Sequence, residues 1–316
     1  MDHAGAGEHL ARRLVPASNL CLLGRVRHLA KVERIWFRQR AAAEAVPAMY
    51  DPALGTDAVR RRRHDRTMTQ PGDRPASRRG GSARFEELAW SETPMGPISL
   101  RRRLEPSLQV EVYEVKLGEE FLMSSLFTVA EVELARLGLA DVPGSDLDVA
   151  VGGLGLGYTA RTVLEDPRVR SLVVVEALHE VIQWHQQELL PDAAGLTADP
   201  RTELVVGDFF AMVGGDTGLD PGAPRRLFHA VLVDIDHTPR HLLHPSHAAF
   251  YTPAGLRRLR RHLHPGGTFA LWSDDPPDAR FGAVLAEVFT STQAHVVTFP
   301  NPLTGGESAN SVYVAS

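Results

Sequence analysis

The chain is nearly devoid of cysteine: Cys21 is the only one in 316 residues, so no disulfide can close within it and nothing calls for an oxidising compartment. Long apolar runs are missing as well. The most apolar stretches, such as Leu172 to Val175 and Val231 to Val233, fall far short of the roughly 20 residues that a helix needs to cross a bilayer. No charged-then-apolar leader opens the sequence, so membrane insertion and secretion are not expected and the cytoplasm is the default. What remains, 43% hydrophobic and 23% charged residues, is the composition of an ordinary globular protein.

Charge is distributed unevenly. Residues 1–84 hold 17 Lys and Arg against 8 Asp and Glu, whereas the remainder holds 17 against 31. This first segment offers one amphipathic stretch, roughly Leu20 to Ala45, followed by Pro, Gly and Arg-rich sequence with Arg60 to Arg63 and Arg78-Arg79-Gly80-Gly81. Its apolar content is too low for a core, and it is expected to be a disordered basic extension. Clustered arginines can neutralise phosphates, but the arginine runs nearly lack the aromatic side chains that stack on bases, so a nucleic-acid partner is not expected. The sequence turns domain-like soon after Met68, which makes Met68 a candidate native start.

From Phe85 to Ser125 the pattern alternates, with Glu87 to Trp90, a Pro94-Met95-Gly96-Pro97 turn, Ile98 to Leu100 and Val110 to Val115, which reads as a small antiparallel β unit. Phe127 to Leu139 has helical spacing through Val129, Val132, Leu134 and Leu137, with Gly138 as its stop. These residues make a small unit over 85–140, ahead of a main domain over 141–316. In that domain short apolar runs (Leu147 to Val151, Leu172 to Val175, Leu204 to Val206, Val231 to Val233, Thr268 to Trp272) alternate with helical stretches near Thr159 to Glu165, Leu178 to Leu189, Phe250 to Leu263 and Phe281 to Phe289. The fold class expected is α/β, doubly wound around a mostly parallel seven-stranded sheet, with His295 to Phe299 and Ser311 to Val314 closing it as a terminal hairpin.

The strongest local signal is Val149-Ala150-Val151-Gly152-Gly153-Leu154-Gly155-Leu156-Gly157, a strand entering a GxGxG turn that opens a helix. Gly153, Gly155 and Gly157 suit close approach of a ligand to the backbone, and the helix N-terminus presents free N–H groups. Glu176 ends the next strand, 19 residues after Gly157, where a carboxylate can accept both ribose hydroxyls. Asp208, in Val205-Val206-Gly207-Asp208, ends the third strand within reach of an adenine amino group. An NAD-binding Rossmann domain uses similar parts. The GxGxG spacing, and the Gly-Asp of the third strand followed by an aspartate on the fourth, point instead to a donor of the S-adenosylmethionine class.

The fourth strand ends Val231-Leu232-Val233-Asp234-Ile235-Asp236-His237-Thr238-Pro239, with Phe250-Tyr251 and Leu263-His264-Pro265-Gly266-Gly267 before strand five. Over residues 146–290 the chain thereby resembles the spermidine synthase family of polyamine aminopropyltransferases, which have a Rossmann-like methyltransferase fold. The resemblance implies aminopropyl transfer from decarboxylated S-adenosylmethionine to a polyamine or other small amine, and often a homodimer. It implies that Asp234 is the base accepting a proton from the attacking amine. Asp236, His237, Tyr251 and Trp272 are the candidate amine-binding residues. The family's glycine loop carries an aspartate that disfavours a donor with a carboxylate, where this chain offers Leu154 and Leu156, and His237 stands where the family has a second carboxylate. A methyltransferase using ordinary S-adenosylmethionine, or a non-catalytic member, therefore stays open. Turn or N-cap roles for Asp234, and a solvent-facing role for Asp236, are the plainer readings. His237, His241, His244 and His247 have helix-like spacings, but Pro239 and Pro245 interrupt any helix there, and no metal is expected.

Overall fold

The computed structural model describes residues 85–316, residue 192 excepted. Expectations for residues 1–84, including the helix, the disordered extension and the start at Met68, lie outside the described residues.

Two sheets organise the chain. The first is an antiparallel meander of β1 (Phe85–Thr93), β2 (Gly96–Glu105), β3 (Val110–Leu117) and β4 (Glu120–Ser124), in sequential order. α1 (Val129–Ala140) follows, and then β5 (Leu147–Gly152), α2 (Tyr158–Glu165), β6 (Val169–Glu176), α3 (His179–Gln186), the short α4 (Ala193–Thr197), β7 (Thr202–Val206), α5 (Phe209–Gly214) and β8 (Phe228–Val233). A 3-10 turn (Pro245–Ala249) leads to α6 (Pro253–Arg260), β9 (Leu263–Ser273), α7 (Ala279–Ala286), β10 (Thr292–Asn301) and β11 (Gly306–Ala315).

The second sheet has seven strands in the order β10-β11-β9-β8-β5-β6-β7. β5, β6, β7, β8 and β9 run parallel, and the terminal hairpin joins antiparallel with Ser311 to Ala315 against Ser273 to Phe269. This is the doubly wound α/β class read from the sequence.

Strand side chains alternate between two cores, as the two-residue period demands. Val149, Val151, Leu172, Val174 and Leu232 face the layer of α1, α2 and α3, while Ala150, Val173, Val175, Val231 and Val233 face α5, α6 and α7. Burial on both faces is why these strands read as continuous apolar runs. Ile98, Leu100, Val115 and Leu117 of the small sheet pack into the first of these cores. No helix among the described residues is long and apolar enough to cross a membrane.

α1 corrects two expectations. Its buried face is Ala130, Glu131, Leu134, Ala135, Gly138 and Leu139, whereas Val129 is 41% exposed and Val132 and Leu137 are only half-buried. The apolar spacing through the valines thus misplaced the buried face, which includes a glutamate. Gly138 lies inside the helix and does not stop it; a Cβ there would stand 2.4 Å from Leu232 Cδ2, so glycine permits α1 to lie directly on β8. Likewise Phe250-Tyr251 precede α6, whose N-cap is Thr252, and Leu263 opens β9. Leu263 pairs with Phe228 and Thr268 with Ala230, so His264 to Gly267 bulge out of register.

Leu232 is fully buried, so it cannot withdraw from a new neighbour without disturbing the core. Gly138→Val is therefore expected to cost about 1–3 kcal/mol through overpacking, measured by urea denaturation against the parent chain. An unchanged midpoint would show that α1 can lift from β8 freely.

Candidate active site

The sheet order reverses between β5 and β8, which is where ligands of open α/β sheets bind, outside the carboxyl ends of the strands. The loops after these strands touch. Asp234 N donates to Gly152 O at 2.9 Å, and Gly153 N donates to Val175 O at 2.9 Å, tying the glycine loop to β8 and β6 together. Gly153 has φ +92°, and a Cβ on it would fall 2.1 Å from Asp234 O. Sequence reasoning assigned this glycine to ligand approach; the structure shows that it first allows the two loops to meet.

Glu176 stands at the end of β6 and holds the loop from the other side. Its Oε2 accepts from Leu154 N and its Oε1 from Leu178 N, both at 2.9 Å. Burial pushes its carboxyl above the ordinary value, with backbone N–H groups of the glycine loop and of Leu178 opposing the shift. Leu154 and Leu156 are buried in the core, so neither replaces a carboxylate at the loop surface. His185 on α3, missed by sequence reasoning, approaches Gly155 O at 2.9 Å through Nε2. A carbonyl can only accept, so Nε2 carries the proton, and burial pushes the ring's pKa down, keeping it neutral. Asp208 is exposed, and its Oδ1 caps α5 through Phe210 N and Ala211 N at 2.9 and 3.1 Å.

Asp234 is half-buried and its Oδ2 accepts from Thr159 Oγ1 at 2.8 Å. The same hydroxyl lies 3.2 Å from the carbonyl oxygen of Glu131. Two further carboxylates gather here. Glu131, in the first turn of α1, is buried, and Asp274, after β9, is half-buried with its Oδ1 accepting from Asn310 Nδ2 at 2.6 Å. Burial pushes Asp234 up to about 6 and Glu131 up to about 8, and repulsion from Asp234 and Asp274 adds to the burial effect on Glu131. Asp274 is raised for the same leading reason. Glu131 thus lies near both Asp234 and Asp274, and the protein resists the charge of all three carboxylates, which is an arrangement suited to attracting a cation and to exchanging a proton near neutral pH.

The four residues expected to bind an amine separate. Asp236 neither faces solvent nor lines the crevice as an open carboxylate: it is 1% exposed, and its oxygens accept from Leu243 N (2.7 Å), His247 Nδ1 (2.8 Å) and the hydroxyl of Tyr251 (2.9 Å). These bonds bolt the loop after β8 to α6's approach, and they occupy Tyr251 as well. Burial and the Asp236 charge raise the Tyr251 hydroxyl well above its ordinary value. His237 is buried and meets Glu120 across the sheets, with Nε2 3.1 Å from Oε1. Trp272 is half-buried near the end of β9, and its Nε1, like the hydroxyl of neighbouring Ser273, is buried without a hydrogen-bond partner among the described residues.

Comparisons with known proteins bear on both parts of the chain. A family model described as mycothiol-S-transferase matches residues 5–80. Polyamine aminopropyltransferase 2 of Pseudomonas aeruginosa is 29% identical over 164 residues, covering 49% of this chain and 43% of that protein. The chain thus matches less than half the length of that curated relative. Among solved structures, spermidine synthase from Thermotoga maritima superposes with a TM-score of 0.56 at 18% identity, covering 73% of this chain and 72% of that one. A spermidine synthase in complex with the transition state analogue AdoDATO gives 0.54 at 18% identity, with the same coverage. At that identity the likeness shows the fold.

The elevated Glu131 has a consequence for stability. Between its unfolded value, near that of an ordinary glutamate, and its folded value of about 8, the native state holds a proton that the unfolded chain has released. Stability contributed by the neutral form is complete below that window and is lost as pH rises through it. Glu131→Gln, which cannot ionise, is expected to remove this decline and to be the more stable protein at pH 9, by on the order of 2 kcal/mol. Denaturation from pH 5 to 9 gives the comparison, and parallel curves would exclude ionisation of Glu131 as the cause.

Proposed function

We propose that the chain moves an aminopropyl group from decarboxylated S-adenosylmethionine to a polyamine or another small amine. The observation that carries this reading is the cluster of Asp234, Glu131 and Asp274 beside the glycine loop. A cationic amine is stabilised by the carboxylates here that ionise and offsets the burial that opposes their charge, and a binding pocket for a neutral or anionic acceptor would not need them. The likeness to aminopropyltransferases in sequence and to spermidine synthases in fold agrees with it.

The residues fit a nucleoside-bearing donor. The left-handed glycines 153, 155 and 157 keep the loop free of side chains, and Glu176 stands at its lip. In this reading Glu176 turns its carboxylate toward the ribose hydroxyls, while Asp208, exposed at the N-cap of α5, offers its second oxygen to the adenine edge. The donor's sulfonium supplies an activated carbon. Asp234 draws the ammonium form of the acceptor in, takes a proton from it and leaves the nitrogen lone pair free for in-line attack. Glu131, neutral at pH 7, keeps a second negative charge away from Asp234 while it does so. The Thr159 hydroxyl orients the Asp234 carboxylate. Homodimer formation belongs to the same reading, and Phe85 and Trp90 on β1 and Met95 in the turn after it expose apolar surface for it.

Methyl transfer from ordinary S-adenosylmethionine is the second reading, and a specific observation keeps it: with Leu154 and Leu156 buried, the glycine loop presents no carboxylate to repel that of the ordinary donor. A product assay on the full chain separates the two. Methylthioadenosine and an aminopropylated amine from the decarboxylated donor are expected; adenosylhomocysteine from the ordinary donor would replace this proposal with methyl transfer. Asp234→Asn is expected to lower turnover by about 10²–10⁴-fold while retaining donor binding, and Glu176→Ala to weaken donor binding itself. Wild-type turnover should fall as pH drops through about 6, where Asp234 takes up its proton. Turnover unchanged in the Asn variant would remove Asp234 from the chemistry.

A further inference from the structure

Three side chains outside the carboxylate cluster converge in a way the proposed reaction does not require. Glu120 opens β4 in the small sheet, whereas His237 and His241 follow β8 in the large one. Glu120 Oε1 lies 3.1 Å from His237 Nε2 and 3.5 Å from His241 Nε2, and all three atoms lie within 4.8 Å of one another. The two imidazoles meet because residues 238–241 form a closed turn and not the helix that their spacing would have needed. Thr238 N donates to His241 O and His241 N to Thr238 O, each at 3.2 Å, and Thr238 Oγ1 accepts from Arg240 N and His241 N. Pro239, which argues against a helix, sits inside this turn. The rings end 4.8 Å apart.

We propose that Glu120, His237 and His241 bind a divalent transition-metal ion of the zinc class. Four-coordinate zinc holds imidazole nitrogen and carboxylate oxygen at about 2.0–2.2 Å, which in a tetrahedron sets ligand atoms about 3.3–3.5 Å apart. The two carboxylate–imidazole separations, 3.1 and 3.5 Å, bracket that spacing. His241 is the most exposed of the three at 51%, so its ring can make the small swing that closes the third edge. Two imidazoles with one carboxylate favour zinc and its neighbours over calcium or magnesium, which take oxygen ligands. Three protein ligands leave one position for water or an exogenous group. The ion ties β4 to the loop after β8, three residues from Asp234, and His237 O in that loop accepts from Asp274 N, after β9, at 2.8 Å. The site does not depend on the transferase reading. The other convergent set, Asp148 with His229 and His264, differs in kind: Asp148 is already held by Arg170, Arg226 and Ser171.

The experiment is a zinc titration of the full chain after chelator treatment and dialysis, by calorimetry, paired with cobalt substitution read from its visible ligand-field absorption. One ion per chain is expected, with affinity falling at least about 10-fold in Glu120→Gln, His237→Ala and His241→Ala. Arg240→Ala, in the same turn but with its guanidinium on Asp275 and Asp278, is expected to bind as the parent does. Zinc should raise the melting temperature of the parent and not that of Glu120→Gln, a half-exposed position whose substitution leaves the strand intact. The sequence holds 14 histidines, so stray binding is separated by these variants. No saturable binding, or binding equal in all three ligand variants, would overturn the proposal.

Discussion

The crevice depends on one close approach, that of the glycine loop to the backbone of Asp234. Gly152 and Asp234 share a hydrogen bond at the ends of adjacent parallel strands, and Gly153 leaves no room for a side chain between its Cα and the Asp234 carbonyl. Adjacent strands in a sheet are held within about 5 Å of each other, but loops leaving them usually diverge. Here they are kept together, and that contact sets the distance between the glycine loop and Asp234. Glu176 and His185 secure the loop from the two remaining directions, through Leu154 N and Gly155 O. A rigid loop with a rigid neighbour positions reacting groups without reorganisation.

The fold was legible because its signals are local. β5 and β8 are buried on both faces, so their residues read as unbroken apolar runs, and the glycines between strand and helix occupy left-handed backbone conformations that few other residues tolerate. Glu131 was not legible for the opposite reason. It occupies the stripe of Leu134, Ala135 and Gly138, but a charged residue in an amphipathic helix is assigned to the solvent side by default. Its neighbours are far away in sequence: the Thr159 hydroxyl donates to the Glu131 backbone carbonyl, and Asp234 and Asp274 lie near enough to oppose its charge. Asp236 failed similarly: its partners Leu243, His247 and Tyr251 come from the loop it anchors, and no spacing rule announces them. The prolines excluded a helix through these histidines, as read, and the chain forms a turn over residues 238–241 in its place, which is what brings His237 and His241 together.

Electrostatics explains why such a site can exist at all. Three carboxylates near one another would oppose folding if all were charged, and burial resolves the conflict by holding protons on the most enclosed of them. The order follows exposure and company. Asp234, with a hydroxyl donor, gives up its proton at lower pH than Glu131, which is enclosed by α1 and faces two negative neighbours. A carboxylate that ionises just below neutrality is both a usable base and an attractive partner for an ammonium group, and its protonated neighbour spares it further repulsion.

The small sheet takes part in this arrangement through its last strand. Its apolar residues Ile98, Leu100, Val115 and Leu117 join the core beneath α1, which fixes β4 relative to the large sheet. Glu120 and Met123 of β4 then reach two different loops, Glu120 meeting His237 after β8 and the Met123 thioether meeting Gly155 of the glycine loop. Apolar packing at one end of the meander thereby determines polar contacts at the other. The loop after β8 is consequently held at three points: by Gly152 at its start, by Glu120 at its middle and by the buried carboxylate of Asp236 reaching forward to Tyr251. With each anchor drawn from a different element, the position of Asp234 is a property of the whole fold.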